Sequence, residues 1–370
     1  MAANDCARIN THYDLDSTLA SGQTFAFQKS GDSYFGIAGG KPVEVRSLGA
    51  GEGYEICCRE EDAGFWRRYF DLDSSYESLL KAFLIDGRTD EASKGDISGG
   101  DKARGDVGGG MADAIGNADG VVAGAIGDVG GGTGGRGASY NAGRLFLTRC
   151  VEAYGGLRLL RQPVWETICE FIISANNNIK RIESIYARIS ARLGDAIDWR
   201  DRHYHAFPSA DRLAKSEESE LRALGLGYRA PYLLDTAKTI AESGLPDLDG
   251  LDYDAALKWL IALRGVGEKV ADCVLLFSTS HRNAFPVDVW IERALREHYG
   301  MSGSRRALKR EAQSFFGGAA GIVQQFLFHG MRTIPDKLDK PDKLDRPDRP
   351  DKPDRPDKPD RPDKAARKDL

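Results

Sequence analysis

The 370-residue chain has no apolar run near the ~18 residues that a membrane-spanning helix needs. Its opening residues, Met-Ala-Ala-Asn-Asp, lack a basic stretch followed by an apolar one, so no secretory signal is expected. The cysteines Cys6, Cys57, Cys58, Cys150, Cys169 and Cys273 form no Cys-x-x-Cys pair and have neither zinc nor iron–sulfur spacing. Scattered thiols fit a reducing, intracellular compartment, mostly as small buried residues. A positive balance is also missing: 51 Lys and Arg stand against 56 Asp and Glu, a formal charge of −5. That excludes a uniformly basic protein.

What is present is unevenly distributed. Residues 86–143 hold 19 of the 43 Gly, with 5 basic and 9 acidic residues. Residues 335–370 hold 8 of the 14 Pro in a Pro-Asp-Lys/Arg repeat, with 12 basic and 11 acidic residues. The remaining 276 residues carry a net charge of only −2, which leaves a nucleic-acid partner open. The Gly-rich segment has few large apolar side chains to offset the entropy of ordering, so a disordered surface insertion is expected there. Pro at every third residue bars a continuous helix, so an extended, disordered tail is expected over 335–370.

The other segments divide by period. Thr24–Phe27, Tyr34–Ile37, Val43–Arg46 and Tyr54–Cys57 alternate and are punctuated by glycine, which predicts hairpin-linked antiparallel strands in a β-rich domain over 1–85. Residues 144–334 show helical periods and no evident alternation. The fold class is therefore α+β: an N-terminal antiparallel sheet packed on a mostly helical domain.

The most informative stretch runs from Leu260 to Phe277. An apolar helix ends near Leu263, Gly265-Val266-Gly267 makes a tight turn, and a second helix begins at once. Gly265 and Gly267 allow positive φ and close approach of an outside group. The free amides at the start of the second helix, as far as Val270, suit a phosphate. Lys269 sits in that first turn, where the helix end and burial would both favour a neutral, nucleophilic amine. Nineteen residues on, Pro286-Val287-Asp288 opens another helix, and Asp288 can both cap it and face the lysine. A neutral amine beside a fixed carboxylate suits attack at a sugar carbon.

Leu263–Cys273 followed by Phe285–Asp288 resembles the helix–hairpin–helix, Gly/Pro loop and aspartate motif of DNA glycosylases. Ser21–Phe25, Ser174–Arg181, Gly225–Arg229 and Gln324–Phe328 narrow the resemblance to the 8-oxoguanine DNA glycosylases, over residues 12–85 and 144–334. The resemblance implies base excision repair of duplex DNA containing damaged guanine, by a glycosylase with AP lyase activity. Lys269 would attack C1′ and form a Schiff base, with Asp288 stabilising the cationic transition state. β-Elimination would then nick the strand, without a cofactor or a catalytic metal.

The resemblance further implies that Gly22 reads N7–H of the flipped base with its carbonyl. Phe328 and Cys273 would sandwich the base, and Gln324 would bond its Watson–Crick edge. Asn176, Arg181 and Arg229 would hold the orphaned cytosine, with Tyr228 wedged in the gap. The carbonyls of Ile261, Leu263 and Val266 would hold a monovalent cation beside the DNA. Arg264 joins Arg181, Arg229 and Lys269 among the cations placed where DNA should pass. A monomer is the default, located with DNA in the cytoplasm, nucleoid or nucleus, with no membrane partner. Two other readings stay open: a hairpin glycosylase for another oxidised base, and a non-catalytic DNA-binding hairpin module. Endonuclease III-like enzymes carry four C-terminal cysteines for a cluster, and no cysteine follows Cys273 here.

Overall fold

The computed structural model describes residues 6–84 apart from 12 and 50, and residues 136–334 apart from 201. Most of the Gly-rich segment and the whole Pro-Asp-Lys/Arg tail lie outside the described residues.

Five strands form one antiparallel sheet: β1 (Cys6–Thr11), β2 (Phe27–Ser30), β3 (Ser33–Ala38), β4 (Lys41–Ser47) and β5 (Tyr54–Arg59). Their order is β1-β5-β4-β3-β2. Gly39 (φ 58°) and Gly40 (φ 70°) join β3 to β4 in a two-residue turn whose left-handed backbone matches strand twist. One face of the sheet places Val43, Val45, Ile56 and Cys58 against Trp66, Tyr69 and Phe70 from the helix Ala63–Tyr69 and its end. A larger core lies among the helices of the second half and includes Ile172, Leu233, Val274, Leu295 and Phe326. Among the described residues the two cores belong to one compact unit ending at Ile334.

Four features depart from the sequence reading. Strand β1 and the helix Leu15–Ala20 were not expected, because each is only six residues long and shows no sustained period. The Thr24–Phe27 alternation yields a strand only from Phe27, because Thr24 and Phe25 bond a buried glutamate instead of a neighbouring strand. The helical half contains a small hairpin, Ala196–Trp199 with Arg202–His205, whose four-residue strands are too short to show alternation. Finally, a helix begins at Arg136, inside the segment read as aperiodic. Tyr140 stacks on Phe315 with centroids 4.9 Å apart. A Cβ on Gly143 would fall 2.5 Å from the Tyr299 ring. At Gly143 the glycine therefore permits close packing, and the composition of its surroundings hid this.

The two halves are joined through the helix Val164–Ser174. Glu166 and Glu170 stand one turn apart on it, both buried. Glu166 accepts from the Gly39 amide at 2.9 Å, and Glu170 accepts from the Phe25 amide at 3.0 Å. Burial pushes both carboxyls up to about 8. Between the unfolded value near 4.5 and about 8 the folded state binds more protons, so stability falls as pH rises through that window. Glu170→Gln should remove its share of that decline. The variant should gain on the order of 2 kcal/mol over the parent between pH 5.5 and 8.5, read from denaturant midpoints. A difference that does not change with pH would refute the assignment.

Candidate active site

The hairpin begins with the helix Tyr253–Ile261, capped by Asp252, whose side chain accepts from the Ala255 amide at 2.8 Å. Its turn is closed by a bond from the Val266 amide to the Leu263 carbonyl at 3.1 Å. Thr236 Oγ1 donates to the Arg264 carbonyl at 3.1 Å, tying the turn to the helix Ala230–Ser243. Gly265 has φ +84°, and a Cβ there would meet Tyr232 Cβ at 2.6 Å, so glycine is required twice over. Gly267 differs from expectation. Its φ is −90°, open to any residue, and a Cβ there would meet nothing within 4 Å. What Gly267 supplies is bareness. Asp14, Asn178, Ser209, Asp252, Asp288 and Ser304 cap their helices through side chains, whereas the hairpin's second helix, Glu268–Ser278, has no side-chain cap. Its first amides therefore end at an exposed turn, available to an anion.

Lys269 is half-buried in the first turn of that helix, with Nζ 5.1 Å from the centroid of Phe171. Phe171 is fixed in turn by stacking on Phe277 at 5.6 Å. One turn further on, the Cys273 thiol is buried and pushed up to about 11 by burial, with Lys269 opposing the shift and Asp288 adding to it. Cys273 is thus a neutral thiol near neutral pH. Asp288 caps the helix Val289–Glu297, its Oδ1 accepting from the Trp290 and Ile291 amides at 3.0 and 2.9 Å. Capping fixes the carboxylate and leaves Oδ2 without a hydrogen bond among the described residues.

The last helix, Ala320–Thr333, closes the constellation. Gln324 is buried and donates through Nε2 to the Pro286 carbonyl at 3.2 Å, two residues before Asp288. Its Oε1 is buried without a partner among the described residues. Gln325 Nε2 donates to the Ser21 carbonyl at 3.2 Å and ties the Gly22 segment to this helix. Gln23 reinforces it by donating to the Arg158 carbonyl at 2.7 Å and accepting from the Leu160 amide at 3.0 Å. Gly22 (φ +75°) lies so that a Cβ would stand 3.6 Å from Phe328 Cε1. Gly22, Gln324, Phe328, Asp288, Cys273 and Lys269, scattered over the sequence, are linked by these contacts.

A second patch adjoins the first through Ile179, whose Cδ1 lies 3.7 Å from the same point on Gly22. Asn176 is exposed with φ +51°, and Asn178 caps the helix Ile179–Leu193. Arg181 is exposed, and Tyr228 is 44% exposed with its hydroxyl donating to the Ala175 carbonyl at 3.1 Å. Arg229 departs from expectation. It is 3% exposed, and it donates through Nε and Nη2 to the Ala175 carbonyl at 2.8 and 2.5 Å and through Nη2 to the Asn176 carbonyl at 2.9 Å. A guanidinium so occupied holds the asparagine loop in shape instead of presenting donors outward. Arg264 likewise is not a free cation, since it pairs with Asp235.

Sequence reasoning missed Gln325 and Arg332. The signal for Arg332 was its spacing, one turn after Phe328 on the same helix face. The signal for Gln325 was weaker, since a glutamine next to another gives no hint of which one bonds the Ser21 carbonyl and which one the Pro286 carbonyl.

Comparison with known proteins shows the family and the fold. A family model described as HhH-GPD superfamily base excision DNA repair protein matches residues 169–316, and one described as 8-oxoguanine DNA glycosylase, N-terminal domain, matches residues 7–98. The chain is 34% identical over 208 residues to a probable N-glycosylase/DNA lyase of Methanothermobacter thermautotrophicus, covering 50% of this chain and 67% of that protein. It is 35% identical over 168 residues to the N-glycosylase/DNA lyase of Saccharomyces cerevisiae, covering 42% of this chain and 45% of the yeast protein. The fold is similar to the Clostridium acetobutylicum 8-oxoguanine glycosylase/lyase solved with double-stranded DNA containing cytosine opposite 8-oxoguanine. There the TM-score is 0.68 and the identity 26%, covering 89% of this chain and 96% of that one.

Proposed function

Because the chain belongs to the 8-oxoguanine DNA glycosylase family of the helix–hairpin–helix superfamily, we propose that it excises 8-oxoguanine from duplex DNA and then nicks the abasic product. The observation that carries this reading is a cluster of groups suited to hold a base. Gly22, the unpaired Gln324 Oε1 and Phe328 stand beside the Lys269–Cys273–Asp288 group. Guanine-type bases offer N–H donors along the Watson–Crick edge, which would satisfy the orphaned Gln324 oxygen. 8-Oxoguanine carries a proton on N7 that guanine lacks, so the Gly22 carbonyl gains a partner only from the lesion.

In this reading Lys269 Nζ attacks C1′, the base leaves, and the amine becomes a Schiff base that permits β-elimination. The Asp288 carboxylate, fixed by its two amide bonds, stabilises the positive charge that develops at the sugar. The neutral Cys273 thiol gives the base one packing face, and Phe328 gives the other. The uncapped amides at Gly267–Val270 receive a backbone phosphate. The carbonyls of Ile261, Leu263 and Val266 hold a monovalent cation beside it, although that of Leu263 already accepts from Val266. Tyr228 fills the gap left by the flipped base, Asn176 and Arg181 take the orphaned cytosine, and Arg229 shapes the loop that presents Asn176.

Single-turnover excision tests this. Release of 8-oxoguanine opposite cytosine should be at least about 10-fold faster than opposite adenine, and an undamaged G·C pair should stay intact. Excision indifferent to the opposite base would remove Asn176 and Arg181 from their roles. Release of a different oxidised base in preference would remove the pocket assignment.

A further inference from the structure

Arg332 belongs to none of the motifs that carry the family resemblance. It lies one turn beyond Phe328 on the helix Ala320–Thr333, and its guanidinium carbon is 5.2 Å from the centroid of the Phe328 ring. Its Nη1 lies 3.8 Å from the point where a Cβ on Gly22 would stand, close to Phe328 Cε1 at 3.6 Å from that point. Gly22, Phe328 and Arg332 thus converge on one spot. Arg332 makes no hydrogen bond or ion pair with another described residue, and Asp288 is the carboxylate whose charge acts on it. A guanidinium whose five donors make no hydrogen bond among the described residues therefore stands beside Gly22 and Phe328.

Resting on the reading that this pocket takes 8-oxoguanine, we propose that Arg332 is a further catalytic and specificity-determining residue that donates to the C8 oxygen of the inserted base. In the base, C8 is bonded directly to N7, and its oxygen projects beside the N7–H. If the Gly22 carbonyl accepts from N7–H, a donor next to Gly22 is within side-chain reach of that oxygen. The edge of the lesion reads donor then acceptor, and the pocket supplies acceptor then donor. Guanine offers an acceptor at N7 and only a C–H at C8, so it matches neither.

The same contact acts on the chemistry. As the C1′–N9 bond breaks, its electron pair goes to N9 and is shared through C8 onto the C8 oxygen. Lys269 Nζ forms the new bond to C1′ and loses a proton, and the departing base takes up one proton. Negative charge on the C8 oxygen is therefore greater in the transition state than in the bound substrate, and a cationic donor there favours the former. Nicking of a preformed abasic site has no departing base and draws nothing from this contact.

The test compares full-length wild type with Arg332→Met and Arg332→Lys. Each is assayed for single-turnover excision from an 8-oxoguanine·cytosine duplex and for nicking of a preformed abasic site. Arg332→Met should slow excision about 30- to 100-fold, with nicking changed by less than threefold, and Lys should recover a substantial part of the excision rate. Equal losses in the two assays would mark Arg332 as merely structural, and unchanged excision would mark it as idle. Either result overturns the proposal. The functional reading is scored separately by the wild type, since a parent protein that nicks abasic DNA but leaves 8-oxoguanine in place would refute that reading first.

Discussion

Lys269→Gln should abolish borohydride trapping on an 8-oxoguanine·cytosine duplex and lower excision by on the order of 10⁴-fold or more. The size of the effect follows from chemistry that no neighbour can supply. Among the described residues, Lys269 is the amine beside Asp288 and Cys273, and a carboxamide can neither attack C1′ nor form an imine. The fold should be unaffected. Lys269 has no ion pair among the described residues, and its Nζ lies 5.1 Å from the centroid of the Phe171 ring. The helix that carries it is held by its buried face, Val270, Ala271, Val274 and Leu275, which the substitution leaves alone. Trapping by gel shift, with circular dichroism as a folding control, decides the matter. An adduct of equal yield from Lys269→Gln would move the nucleophile elsewhere and reopen the non-catalytic hairpin as the better account.

Lys309→Met should destabilise the protein by about 3–5 kcal/mol. Lys309 is 5% exposed and pairs with Asp272 at 2.6 Å and with Glu268 at 3.5 Å. The Tyr253 hydroxyl donates to the other oxygen of Asp272 at 2.5 Å. Asp272 is 1% exposed, and burial pushes its carboxyl up while Lys309 and Tyr253 pull it down. Without the ammonium a buried carboxylate is left with a single donor, and that uncompensated charge sets the cost. The double variant Asp272→Asn/Lys309→Met should therefore recover most of the loss, since it removes both charges together. Denaturant midpoints measure both. A loss below about 1 kcal/mol for Lys309→Met would mean that water reaches Asp272. The cluster matters for function because it binds the helix Arg305–Phe316 to the helix that carries Lys269, three residues before Asp272.

The candidate catalytic pair, Lys269 and Asp288, and the hairpin could be read directly because their signals are local. Lys269 and the turn Gly265–Gly267 sit within five residues, and Asp288 announces itself as a helix start after Pro286. The candidate base-contacting residues were legible only through resemblance, because Gly22, Gln324 and Phe328 have no local signature and Gly22 lies about 300 residues before the other two. The second half's helices followed from their period, whereas β1, the helix Leu15–Ala20 and the hairpin Ala196–His205 were too short to show one. At Arg229 the motif does not say whether a guanidinium points to solvent or to carbonyls, and the bonds to Ala175 and Asn176 emerged only from the fold.

By itself, then, the sequence determined the α+β class and the local elements that carry the proposed nucleophile, its proposed carboxylate and the glycine turn. Each depends on residues close in the chain, where propensity and helix-end electrostatics act. Tertiary structure alone decided that Gln324 keeps an unpaired oxygen, that Arg229 is spent on the Ala175 and Asn176 carbonyls, and that Arg332 reaches the edge of Gly22. Those are matters of which polar group finds a partner once the chain has closed. Burial fixes that outcome through packing between distant segments, and no local pattern encodes it.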